Sequence, residues 1–499
     1  MKISSQICGA LVAIAIALAA APAHGKIAGP LAASDNPNYF KDANGLVLIL
    51  NGSQSWNTLQ DWGTNGSVRS LDFNFFVKFL TAHAHNFTLL WRVEMPKFCG
   101  LPVTASNPPD FWAGPHPWLR TGPGNATDGG LKFDLTKFDP SYFERLRKRT
   151  EALNEAGIYV GVYLFTGEWL KSFRCPSDGY PFTGANNVNG IDDGYTSGKR
   201  GTSSIGMTAP NAITALQDAY VEKAIDTLND LPNVLWVVSE ESSTDSVWWN
   251  EHQISHIRAY ESRKPHQHPI GYGTISGLPD TAMYNSSADF VKPQARISPV
   301  RSCGSGHPVC KVNVNDSDHS YWEMWRQTPQ QNRNYAWENF MTGNQVLFMD
   351  PYLVYYPRES RNLCSSPTNG ICAAPDPRWD NFRDNLGYIL KYSRKVNLAK
   401  IAPHESLSST KYCLAQTPAK GAEYLVYAPS GGSFTLDLSA MPRSRRLALE
   451  WFDPSTGATT TGNSIPAGLS SQSFTPPFGG DAVLYLVDEA GHATSTRGH

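Results

Sequence analysis

Two stretches of this chain run from an apolar strand into closely spaced acids. Asn233-Val234-Leu235-Trp236-Val237-Val238-Ser239 leads into Glu240 and Glu241, and Lys311-Val312-Asn313-Val314-Asn315 leads into Asp316, Asp318 and then His319. A short, mostly apolar run reads as a strand buried on both faces, as in a parallel sheet covered by helices. Acids at the C-terminal ends of such strands are where a (β/α)8 barrel carries its chemistry. Cleaving a glycosidic bond needs a proton for the leaving oxygen and an anionic partner for an oxocarbenium-like transition state. Two carboxyls divide those roles when their surroundings set their pKa values apart.

Successive residues of a strand point to opposite faces, so Glu240 and Glu241 are not expected to face one substrate atom together. Glu241 is the expected catalytic acid, with Glu240 as the alternative. Asp316 and Asp318 share a face if the strand persists that far; Asp316, nearer the strand, is the expected nucleophile and Asp318 the alternative. Further candidates for substrate contact end or follow other strands: Gln54 and Trp56 after the first, Arg92 and Glu94 at the second, Glu168 and Trp169 after the third, His319 after the seventh, Asp350 at the eighth. Acids and amides suit sugar hydroxyls, and an indole offers a flat apolar face to a sugar ring. The competing reading is structural: acids that cap helices or pair with Arg92 or Arg120, an Arg92–Glu94 ion pair, a histidine satisfied inside the fold.

The elements that must position these residues alternate along the chain. Strands are expected at Leu46–Leu50, Phe87–Val93, Ile158–Phe165, Val234–Val238, Pro269–Tyr272, Ala288–Val291, Val312–Val314 and Val346–Phe348, and helices at Leu71–His85, Ser141–Ala156, Ala212–Leu228 and Val247–Tyr260. Helices five and six have weak patterns, so the count of eight units rests partly on the fold expectation. After about Ile401 short strands separated by turn clusters, Tyr424–Tyr427, Ser433–Leu438, Leu447–Phe452 and Ala482–Val487, read as a small β-sandwich. The expected organisation is a signal peptide over 1–25, a (β/α)8 TIM barrel over 26–400, a β-sandwich over 401–490 and a flexible tail over 491–499.

Composition narrows the class. The 499 residues carry a net charge of −2 with no basic stripe, which argues against nucleic acid as a partner. Lys2, the apolar run Ile7–Ala21 and the small residues Ala21-Pro22-Ala23 read as a secretory signal that would send the protein outside the cytoplasm; the run is short for a membrane anchor. Eight cysteines suit that compartment. Cys8 leaves with the signal, Cys303–Cys310 and Cys364–Cys372 close short loops, Cys99 and Cys175 follow neighbouring strands, and Cys413 is left over as a buried thiol. No CxxC pair or histidine spacing supports zinc, and Asp192 and Asp193 read as a solvated loop in preference to a calcium site. No metal or cofactor is expected.

The segments Gly52–Asn57, Pro117–Gly124, Asp128–Gly130 with Phe133–Leu135, Asn315–His319 and Phe348–Tyr352 resemble a group of secreted bacterial clan A-like glycoside hydrolases. Glu450–Pro454 and Phe474–Phe478 resemble the C-terminal domain type named for collagen binding in that group. By position, the resemblance implies Glu241 as acid/base, Asp316 as nucleophile, a carbohydrate substrate and retention of configuration. Three departures accompany it: Glu240 stands where the clan has Asn, Gln54 where His is usual, and Asp316 is one methylene shorter than the usual Glu. A non-catalytic carbohydrate-binding barrel is the second reading, which the Glu240 and Gln54 departures favour. A protease or collagen adhesin is the third, and the absence of a His-Glu-x-x-His motif or nucleophile elbow speaks against it. Peptide mapping without reduction is expected to recover Cys303 linked to Cys310 and Cys364 linked to Cys372; free thiols at these four positions would contradict the loop assignments.

Overall fold

A computed structural model describes residues 26–64, 70–98, 111–172, 174–196, 204–293, 310–317, 324, 326–352, 375–417 and 421–492. Eight parallel strands form one curled sheet in chain order: β1 (Gly52–Gln54), β2 (Phe87–Leu90), β3 (Tyr159–Tyr163), β4 (Val234–Val237), β5 (Ile270–Gly273), β6 (Phe290–Lys292), β7 (Val312–Asp316) and β8 (Gln345–Met349). β8 returns to pair with β1. At the remaining seam Asn86 N donates to Asn51 O at 3.1 Å and Thr88 Oγ1 to Ser53 O at 2.8 Å. Gly52 permits this approach, because a Cβ there would lie 2.0 Å from the Phe87 carbonyl oxygen.

The expected first strand is displaced. Within Leu46–Leu50 only Val47–Leu48 is a strand, and it pairs antiparallel with Phe40–Lys41 below the barrel; the barrel strand is the short polar Gly52–Gln54. The tight seam selects small side chains there over apolar ones. Elsewhere alternation holds. Leu235, Val237, Phe290, Val312 and Val314 fill the barrel interior, while Val234, Trp236, Val238 and Val291 face the helical layer. The helices start at side-chain caps. Asp72 accepts from Phe75 N ahead of α1 (Phe73–Ala82), Asp139 precedes Pro140 at the start of α2 (Pro140–Glu155), and Asn211 forms a capping box with Thr214 at α3 (Ala212–Leu228). α4 spans Val247–Glu261, and the weak fifth helix is a single turn, α5 (Thr281–Tyr284). α6 (Pro329–Met341) and α7 (Asp380–Lys395) flank β8.

The C-terminal strands form a six-stranded antiparallel sheet and a two-stranded one, packed as a β-sandwich. In the strand Glu423–Ala428, Tyr424, Val426 and Ala428 face the sandwich interior, whereas Leu425 and Tyr427 face α6 and α7, packing with Trp337, Leu386 and Tyr392. The large sheet is therefore buried on both faces, which explains why Ala482–Asp488 is apolar at almost every position. Arg333 on α6 bonds both oxygens of Asp481, at 3.1 and 2.5 Å, and Tyr427 adds a hydrogen bond to the same carboxylate. Among the described cysteines Cys413 is a free, buried thiol. Cys99, Cys303, Cys364 and Cys372 lie outside the described residues, so both expected loop pairings do too. No described helix is long and apolar enough to cross a membrane.

The shared core predicts one cooperative unfolding transition for the barrel and sandwich together. Asp481→Ala strands the Arg333 guanidinium and is expected to cost about 3–5 kcal/mol in urea unfolding. Two separate transitions, or a loss near zero, would contradict the arrangement.

Candidate active site

Four side chains from four strands meet in the barrel interior. Lys292, the last residue of β6, donates from Nζ to Glu240 Oε2 at 2.7 Å, to Asp316 Oδ2 at 2.7 Å and to the Tyr163 hydroxyl at 2.5 Å. Tyr163 in turn donates to Glu240 Oε2. The lysine, glutamate and aspartate side chains are at most 3% exposed. The Tyr163 ring stacks on Trp91 at 4.3 Å with 11° between planes, and Trp91 Nε1 donates to Gln54 Oε1 at 2.5 Å. A continuous path of contacts thus runs from the end of β1 around to the end of β7. Asp316 Oδ1, Glu240 Oε1 and Gln54 Nε2 are buried and take no hydrogen bond among the described residues.

Burial pushes the Glu240 carboxyl up; Lys292 opposes that shift and Asp316 adds to it. For Lys292 burial acts downward, but Asp316 and Glu240 outweigh it and hold the ammonium above its ordinary value. A lysine raised in the folded state stabilises it fully below the unfolded value of about 10.4 and loses that contribution at more alkaline pH.

Glu241, not Glu240, was the acid expected in the cavity. The structure brings Glu240 to Asp316 through Lys292 because strand alternation stops at Val238. Beyond it the chain crosses Gly273 on β5, where a Cβ would lie 2.3 Å from Ser239 O. Glu241 is also buried, 7% exposed, and adopts φ +47°, a left-handed backbone that costs an L-residue roughly 1–2 kcal/mol. Gly167 lets the loop after β3 lie against Ser242, and Glu168 N donates to Glu240 O at 3.1 Å. Asp318 and His319 lie outside the described residues.

The other candidates separate into two groups. Trp56 stacks on Trp62 at 6.0 Å, and Trp62 meets Trp169 edge-on at 5.4 Å, so a three-indole cluster stands beside Glu168. Arg92, Glu94 and Asp350 are turned to structural partners. Arg92 lies 4.2 Å over the Tyr220 ring and bonds Leu164 O; Glu94 accepts from Thr166 N at 2.6 Å and from its hydroxyl, burial raising its carboxyl. Asp350 is held by Arg383 through two bonds of 2.8 and 2.6 Å, both side chains wholly inaccessible. Asp192 and Asp193 also bond within the protein, Asp192 to Gly184 N and Asp193 to Arg174 at 2.7 Å. Among the described residues no group of three metal-ligating side chains is placed to hold an ion. Lys292, Tyr163, Trp91 and Trp62 were not singled out from sequence. Lys292 had a signal, a cation directly following the apolar Phe290-Val291.

A family model described as "Domain of unknown function (DUF6298)" matches residues 106–291, and one described as "Putative collagen-binding domain of a collagenase" matches residues 400–487. No curated protein matches the chain. A glycoside hydrolase family 5 structure from Bacteroides vulgatus ATCC 8482 superposes with a TM-score of 0.60 at 13% identity, covering 94% of this chain and 95% of that one. A structure titled "Glycoside hydrolase" gives 0.57 at 13% identity, with 92% and 97% covered. A "putative glycoside hydrolase" from the same Bacteroides strain gives 0.57 at 15%, with 92% and 82% covered. The chain thus shares with these glycoside hydrolase structures the fold of a TIM barrel with an appended β-sandwich, and the likeness extends over nearly the whole chain.

A carboxyl raised in the folded state contributes most below the ordinary Glu value of about 4.3, and its contribution falls as pH rises through the folded value. Glu240→Gln removes that fall. Its stability relative to wild type is expected to improve from about pH 4 to about pH 7 in urea titrations; a constant difference would contradict the burial of an ionising Glu240.

Proposed function

We propose that this protein is a secreted glycoside hydrolase that cleaves O-glycosidic bonds of an oligo- or polysaccharide, with Asp316 as nucleophile and Glu241 as acid/base. The observation that carries the reading is the meeting of the β4 and β7 strand ends in the barrel interior, through Glu240 and Asp316 on Lys292, with Glu241 buried as the next residue. Among the described residues Asp316 keeps Oδ1 unengaged while Lys292 holds Oδ2. Its attack on the anomeric carbon forms a glycosyl ester as the bond to the leaving oxygen breaks, and Glu241 supplies that oxygen with a proton. Water then cleaves the ester, giving its proton to Glu241 and restoring the Asp316 carboxylate. Glu240, whose Oε2 accepts from both Tyr163 and Lys292, is the alternative acid. The strained backbone at Glu241 is the kind of feature that persists at working sites.

Two oxygens bonded to one nitrogen at 2.7 Å are separated by no more than twice that distance. That bounds the Glu240–Asp316 pair; for Glu241 and Asp316, retention of configuration is proposed from the clan A resemblance of the two strand ends, and a carboxyl spacing of roughly 5–5.5 Å is its geometric requirement. Trp56, Trp62 and Trp169 supply apolar rings suited to a sugar face. The sheet of the C-terminal domain is occupied by the barrel, which supports a bracing role for that domain over collagen capture.

The test is a panel of aryl glycosides and oligosaccharides, with product configuration read by NMR. On a substrate so found, Asp316→Asn and Glu241→Gln are each expected to lose roughly 10²–10⁴-fold in kcat while keeping the wild-type circular dichroism spectrum, Asp316→Asn melting lower because it removes a counter-charge of Lys292. Near-normal rates in Glu241→Gln with collapse in Glu240→Gln would move the acid role to Glu240.

A further inference from the structure

We propose that Lys292 is a positioning residue of this centre, an ammonium that fixes one oxygen of Asp316 and leaves the other to meet the sugar; this rests on the reading of Asp316 as nucleophile. A lysine ammonium carries three donors. All three are used within the cluster, on Tyr163, Glu240 and Asp316. None remains for a substrate, so the lysine acts through Asp316 and not on the sugar. Asp316 Oδ1 is left as the oxygen able to attack.

The position is built into the strands on either side. Lys292 pairs in register with Gly273 on β5. A Cβ at residue 273 would lie 3.1 Å from Glu240 Oε2, so Glu240 reaches Lys292 across a strand that has no side chain at that level. β4 and β6 are thereby joined over β5, and β7 is drawn in through Asp316. Tyr163 is held by its stack on Trp91 and closes the remaining side. Arg92, the cation that follows β2, is turned into the helical layer and is bonded to Leu164 O. Among the described residues, Lys292 is the cation bonded to Asp316.

The experiment uses the full-length protein and whichever glycoside the wild type turns over. Lys292→Met is expected to lower kcat about 100-fold, the loss typical of a displaced reacting group, with KM little changed. The acid limb of kcat/KM should move to higher pH, because Asp316 would then share its cavity with Glu240 without a cation. Lys292→Arg should recover part of the rate and return the limb. A lysine needed only for folding would reduce the active fraction and leave the limb in place. If the methionine variant does not fold, Glu240→Gln carries the test: loss of the competing charge should move the limb to lower pH, and an unmoved limb overturns the proposal. Folded Lys292→Met with near-normal kcat and an unmoved limb overturns it while the glycosidase reading stands. Absence of wild-type turnover across the panel overturns that reading and this one with it.

Discussion

A lysine in the dry interior of a barrel must have its charge matched, and much of this structure follows from that requirement. Taking an ion out of water costs several kcal/mol, which is offset only by close opposite charge and complete hydrogen bonding. Lys292 has both, from Glu240, Asp316 and Tyr163. Meeting that demand ties together the ends of β3, β4, β6 and β7. It also excludes a side chain at Gly273 and breaks the alternation of β4, so that Glu240 faces inward. Two carboxylates against one ammonium leave the cluster short of cation, and burial accordingly keeps the Glu240 carboxyl raised.

The outer layer follows a different rule. There the strand-end charges Arg92, Glu94 and Asp350 are consumed by the packing of loops and helices: Arg92 against aromatic rings, Glu94 on Thr166, Asp350 in the fork of Arg383. These contacts hold the βα connections in place without presenting charge to a ligand. The C-terminal sandwich extends the same layer. Its main sheet lies on α6 and α7, with Arg333 and Asp481 locked between them, so barrel and sandwich share one core.

Glu241 stands apart from both arrangements. Its left-handed backbone accompanies the break in β4: Val237 pairs with Gly271 and Ser242 bridges to Ile275, both in parallel, so the chain through Glu240 and Glu241 carries one more residue than β5 over the same span. The pairing that aims Glu240 at Lys292 and the strain at Glu241 are two consequences of one turn.

The sequence alone determined the class of fold. Apolar runs separated by helical periodicity specify a parallel barrel, because period and burial are local properties. Acids at the ends of β4 and β7 can be read directly, as can the buried thiol of Cys413 and the sandwich strands. The sequence did not determine that Glu240 would meet Asp316 on Lys292. Alternation predicts Glu241 only while the strand remains regular, and the close approach over Gly273 ends it. Strand six, read as stopping at Val291, excluded Lys292 from the strand ends, since a lysine normally marks the edge of a buried segment. Its place inside depends on counter-charges 52 and 24 residues away, and such pairing exists only once the strands are side by side. The seam behaved likewise: Gly52–Gln54 has no apolar pattern, and only contact with Phe87 and Asn86 makes it a barrel strand. Local periodicity writes the elements, but charge neutralisation and backbone proximity across the barrel decide which residues form the site.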